Sequence, residues 1–194
     1  MARLGGAAEK SFSFSHKTHT MLMTLCRTCG GTLSVWLSEA DMTLVIVPKD
    51  LRQLTWKHFS KVKRPKEKGS DASTGFELSY VPNGGKALVT LKLDASNTWV
   101  IQGKMTDALL KHEQGHWDIY ILQAEAVDRR LQGLDSKEMR ATYVEITQDF
   151  GKINQRYDDE TDHSRMIAKQ EEWDCRLASA KRDHTLLLAD ICSP

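Results

Sequence analysis

The chain has 194 residues, of which 27 are Lys or Arg and 26 are Asp or Glu, a net charge of +1. That balance supplies no global field for nucleic acid or an acidic membrane surface, and no run of ~18 apolar residues offers a membrane-spanning helix. A hydrophobic content of 40% at this length suits one domain with a real core.

Residues 1–41 are dominated by Ser, Thr, Gly and Lys without periodicity and are expected to be poorly ordered. Their Cys26 and Cys29 form a lone C-x-x-C pair. Cys175 and Cys192 lie too far apart to complete a four-cysteine zinc site. The apolar stretch from Met21 to Cys26 is short, is interrupted by Arg27, and has no small-residue cleavage signal, so no clear leader is read. Met42 opens the first strand pattern and is a second candidate start. The domain is expected over residues 42–180, with 181–194 as a tail.

Leu44 to Val47 is a short β-type run stopped by Pro48. Leu54 to Phe59 mixes aromatic and polar residues, and Lys61 to Ser73 reads as a charged loop. Phe76, Leu78 and Tyr80 alternate with Glu77 and Ser79. The turn signal Pro82-Asn83-Gly84-Gly85 follows, and Ala87, Val89, Leu91 and Leu93 resume the alternation. Trp99-Val100-Ile101 is a further short strand. After residue 105 the period changes from two to 3.6. Thr106 can cap a helix running to Gln132, which Gly133 would stop. Ser136 can cap a second helix, whose stripe is Met139, Tyr143, Ile146, Phe150, Ile153 and Tyr157. A third helix is expected after His163, carrying Ile167, Trp173 and Leu177. Strands followed by helices argue for an α+β domain, with an antiparallel sheet ahead of the first helix.

The first of these helices contains His112-Glu113-Gln114-Gly115-His116. Residues four apart lie one above the other on a helix face, so two imidazoles reach one ion. Zinc accepts neutral His nitrogens at about 2.0–2.1 Å, and Glu113 stands beside that face, where it can take a proton from a water the ion activates. Gly115 weakens a helix by about 1 kcal/mol relative to Ala, and its presence here suggests a close approach by another group. The bland alternative is a solvated helix face with two incidental histidines.

A catalytic zinc site commonly has three protein ligands and an open position. The stretch from Tyr157 to His163 is rich in candidates for the third. His163 is the first choice and Glu160 the second. Tyr157 completes the apolar stripe and suits the core, but its hydroxyl could instead donate to an oxyanion. Asp118 or Asp158 could orient a ligating imidazole. His16, His19, His58 and His184 lie outside any ligand spacing. Trp99, Trp117 and Trp173 are expected in the core.

The stretch Leu54-Thr-Trp-Lys-His-Phe, the strand ending at Trp99-Val100, the run His112 to Ile119 and the segment Tyr157-Asp158…Thr161-x-His163 resemble a bacterial family described as predicted secreted zinc-dependent proteases, zincin-like in character. The resemblance covers roughly residues 44–175. It implies His163 as a ligand and export to the periplasm or medium. Ser164 stands where that family commonly has Gly.

The expectation is therefore a zinc-dependent peptidase holding one catalytic zinc and acting on a peptide or protein substrate. Glu113 is the base, and His112, His116 and His163 are the ligands. The alternatives are another zinc hydrolase, such as an amidase for cell-wall peptides, or a metal-binding module without catalysis. A carboxylate between the two histidines argues against the last, since a structural site has no use for it. Oligomeric state is not legible.

Overall fold

The computed structural model describes residues 51–183 together with the backbone of Val45 and Ile46. The N-terminal segment, the Cys26–Cys29 pair, His16, His19, His184 and Cys192 lie outside the described residues.

The architecture is α+β: small sheets first, then three helices. The strands are β1 (Val45–Ile46), β2 (Ser60–Val62), β3 (Ala72–Ser73), β4 (Phe76–Asn83), β5 (Lys86–Leu93) and β6 (Trp99–Ile101). One sheet has the order β1-β5-β4 and the other β2-β6-β3. The β4–β5 hairpin forms where the alternation placed it. Asn83 pairs with Lys86 across Gly84 and Gly85, both at positive φ (57° and 80°), the backbone state a two-residue hairpin turn demands. Both sheets are mixed rather than purely antiparallel, because β1 runs parallel to β5 and β2 parallel to β6. Two short strands arise where the sequence reads as aromatic mixture and charged loop. Ser60 to Val62 pairs with Trp99 to Ile101, and Ala72–Ser73 pairs on the other side of β6. Strands of two or three residues carry too little alternation to announce themselves.

Helix α1 spans Asp107–Leu131. Thr106 caps it by accepting from the Leu109 amide at 3.1 Å. It is buried on several faces, with Leu109, Trp117, Ile119, Leu122, Ala124 and Val127 in one core with Val89 and Leu91 of β5. Helix α2 spans Ser136–Thr161. Its cap is Asp135 rather than Ser136: the Asp135 carboxylate accepts from the amides of Lys137 and Glu138, and Glu138 returns a bond to the Asp135 amide. The stripe Met139, Ile146, Phe150, Ile153 and Tyr157 is buried, and each such side chain contributes about 1.5–3 kcal/mol.

Helix α3 spans Ile167–Asp183. Trp173 and Leu177 are buried, whereas Ile167, the first residue of the helix, is exposed. Trp99, Trp117 and Trp173 all lie in the interior. Among the described residues no helix is long and apolar enough to cross a membrane.

Candidate metal centre

Helix α1 is sandwiched between the sheets and the other two helices, so the polar residues on its middle turns are buried. His112 is 1% exposed, Glu113 2% and His116 8%. The helical spacing brings the two imidazole Nε2 atoms to 3.2 Å from each other. Asp158, near the end of α2, completes the group. Its Oδ1 lies 3.1 Å from His112 Nε2 and 3.0 Å from His116 Nε2. Donor atoms around a tetrahedral zinc stand roughly 3.3 Å apart, given bonds of about 2.0–2.1 Å. The three donors already have that spacing, and His112, His116 and Asp158 could hold a metal ion.

The other ring nitrogens fix the orientation of the imidazoles. His116 Nδ1 lies 2.9 Å from Asn154 Oδ1, and His112 Nδ1 lies 3.2 Å from Gln170 Oε1. Each amide oxygen accepts from a protonated Nδ1, which leaves the Nε2 lone pairs facing the common centre. Gln170 is itself held, since its Nε2 donates to the Tyr157 hydroxyl at 2.7 Å and to Asp174 at 3.0 Å.

The charges reinforce this geometry. Burial alone would push the His116 imidazole down, but the Asp158 carboxylate against it outweighs burial and brings it up to about 9. Asp158 is the mirror case: burial would raise it, and the bonds to His112 and His116 hold it well below the usual carboxylate range. Glu113 is pushed up by burial, against the pull of the two imidazoles and of Thr74. A buried cluster that gathers two imidazoles around one carboxylate suits a cation in place of the shared protons.

The group opens onto a cavity of about 170 Å³, lined by β3, Thr74, Glu113, Tyr120 and His163. Thr74 donates to Glu113 Oε2 at 2.6 Å. Tyr120 continues the face of His112 and His116 one turn further. Its ring is stacked on Phe76 at 3.8 Å, and its hydroxyl has no hydrogen-bond partner among the described residues.

The expected residues fall into three groups. His112, Glu113 and His116 come together. His163 lines the same cavity but stands outside the close group: it is about a third exposed, and its Nδ1 meets Asp158 Oδ1 at 3.1 Å. Glu160 turns away, bonded to Arg156 and to the Trp173 indole. Tyr157 does not reach the cavity. Its ring is fully buried and its hydroxyl donates to the His112 carbonyl at 3.0 Å, so the oxyanion role does not fit it and the core role does. Asp118 is engaged by Lys181 and Gln114, not by an imidazole. His58 accepts from the Thr55 amide in the helical turn that precedes β2, and it does not line the cavity.

Sequence reasoning missed Thr74, Tyr120, Asn154 and Gln170, and gave Asp158 only an orienting part. Tyr120 and Asn154 carried a usable signal: Tyr120 follows His116 by four, and Asn154 precedes Asp158 by four on one helix face. Thr74 and Gln170 carried none, since their contacts cross 39 and 58 residues.

The sequence signature of a bacterial protein family of unknown function, DUF922, matches residues 53–164, which contain His112, Glu113, His116 and Asp158. No curated protein and no solved structure matches the chain.

Proposed function

We propose that this chain, which belongs to the bacterial family DUF922, is a zinc-dependent peptidase. The observation that carries the reading is the buried carboxylate of Glu113 beside three donors spaced for one ion, all on the wall of one open cavity. A purely structural ion needs no base and no cavity.

His112, His116 and Asp158 would hold the ion, and two nitrogens with one oxygen are a donor set that zinc accepts. His163 then steadies Asp158 through its 3.1 Å contact, in place of the direct ligation its position in the sequence suggests. When bound, zinc supplies Lewis-acid polarisation of a peptide carbonyl and of a water molecule. Glu113, held at one oxygen by Thr74, has its other oxygen free to take the water's proton and pass it to the leaving amine. Tyr120 supplies a hydroxyl for the developing oxyanion, the role the buried Tyr157 cannot fill. The resemblance of His112–Ile119 and Tyr157–His163 to predicted secreted zinc-dependent proteases supports the same reading.

The test is Glu113→Gln. Zinc-loaded wild type should cleave denatured casein, lose activity to a chelator and regain it with zinc. The variant should retain zinc and lose activity by about 10²–10⁴-fold. Cleavage undiminished in the variant would refute the role of Glu113. Cleavage of peptidoglycan fragments, with casein untouched, would turn the reading toward a cell-wall amidase.

A further inference from the structure

The Glu113 carboxylate meets the connection between β3 and β4 at Thr74. Both side chains are buried, at 5% and 2% exposure, and the Thr74 hydroxyl donates to Glu113 Oε2 at 2.6 Å. A hydroxyl between a buried carboxylate and a strand end is a choice with consequences. A buried carboxylate left short of donors costs several kcal/mol. A single short bond also fixes which oxygen is engaged and which way the carboxylate plane is turned.

The backbone that presents Thr74 is itself clamped. The Gly75 amide donates to Thr98 Oγ1 at 3.1 Å, and Thr98 Oγ1 donates to the Asp94 carbonyl at 2.7 Å. The Asp94 amide closes the ring by donating to the Gly75 carbonyl at 3.0 Å. Thr98 is wholly buried. A Cβ on Gly75 would fall 2.6 Å from Asn97 Cβ, so only glycine lets the two segments approach this closely. The clamp therefore sets the height of Thr74 over α1 independently of the helices that build the metal group.

We propose that Thr74 is a positioning residue for the general base. Its hydroxyl occupies Oε2 of Glu113 and turns Oε1 toward the cavity, where the attacking water must lie. The proposal rests on the peptidase reading for the identity of the base, and on the Thr74–Glu113 contact for the rest. Thr74 touches no reacting atom, so it acts through Glu113 alone.

Two substitutions separate hydroxyl from shape. Thr74→Val keeps the branched side chain and removes the donor, whereas Thr74→Ser keeps the donor and removes the methyl. With zinc-loaded protein and a fluorogenic peptide spanning a bond that wild type cuts in casein, Thr74→Val should lower kcat roughly 30-fold. KM and zinc content should stay within about twofold of wild type, and Thr74→Ser should recover most of the rate. A packing role predicts the reverse order, with Thr74→Ser the worse variant, and that order overturns the proposal. A Val variant as fast as wild type overturns it equally.

A thermal-unfolding cycle of Thr74→Val and Glu113→Leu, which leaves no acceptor at 113, needs no activity. The shift in Tm caused by Thr74→Val should shrink at least twofold when Glu113 is already Leu. Additive shifts overturn the contact in solution. If wild type cleaves nothing, the peptidase reading fails by itself, and the unfolding cycle still decides whether Thr74 holds Glu113.

Discussion

The ring of Tyr157 lies nearly parallel to the ring of His112, with centroids 4.7 Å apart and planes 13° from coincident, while its hydroxyl donates to the carbonyl of the same His112. One residue of α2 thus supports both the side chain and the backbone of one residue of α1. The contact requires the two helices to approach closely, and Gly115 provides the gap.

A Cβ on Gly115 would stand 2.2 Å from the Tyr157 hydroxyl and 2.6 Å from the ring carbon that bears it. Gly115→Ala should therefore destabilise the protein by about 1–3 kcal/mol, although alanine is the better helix former by about 1 kcal/mol. Urea unfolding measures the sign, and a more stable variant would show that α1 and α2 do not meet as described.

Ser164 follows Asp162 and His163 in a turn where all three residues have positive φ, 46°, 50° and 76°. Left-handed backbone costs a side-chain-bearing residue roughly 1–2 kcal/mol, and glycine returns part of that as extra freedom in the unfolded chain. Ser164→Gly should stabilise the protein by about 0.5–1 kcal/mol. Urea midpoints at unchanged slope would show it, and a loss of stability would contradict the turn geometry.

Metal-free protein should lose stability as pH rises from 6.5 to about 9. His116 is raised from 6.5 to about 9 in the fold, so the stability it contributes is full below 6.5 and is lost as pH passes through the folded value. Glu113, also raised by burial, adds a loss of the same sign as it ionises. Asp158 is held below its ordinary 3.8, so its contribution is present above that pH and lost only in acid. Thermal midpoints in chelator should fall over pH 6.5–9. Added zinc should flatten the fall, because the metal takes the neutral imidazole. A midpoint that stays level in chelator would contradict the His116–Asp158 pairing.

Burial pushes the Tyr120 phenol up, so it remains a donor throughout the working range. Tyr120→Phe should lower kcat about 10²-fold with KM and zinc content little changed. An unaltered kcat would remove Tyr120 from the mechanism.

The parts of the site that were legible in the sequence are those generated by helical period. His112, Glu113 and His116 announce themselves because one turn of one helix suffices to assemble them. The α2 stripe from Met139 to Tyr157 is legible for the same reason, and so is the hairpin at Gly84–Gly85. Asp158 was visible as a carboxylate but not as the nearest donor. Which of Asp158, Glu160 and His163 faces α1 depends on the rotation of α2, and that rotation is set by the packing of Tyr157 against His112 and Trp173. The positive-φ turn then carries His163 to the rim instead of the centre. Thr74 was invisible because β3 is too short to show a period.

Under the proposed function, three side chains, two on α1 and one on α2, share a single zinc ion. Elemental analysis after zinc loading and exhaustive dialysis tests it most directly, on folded wild type and on His116→Ala, Asp158→Ala and His163→Ala. One zinc per chain is expected in wild type, almost none in the first two variants, and retention in His163→Ala with affinity weakened about 10–100-fold. Folded wild type without zinc would mean that His112, His116 and Asp158 hold no such ion. Full zinc in Asp158→Ala with none in His163→Ala would move the third ligand to His163.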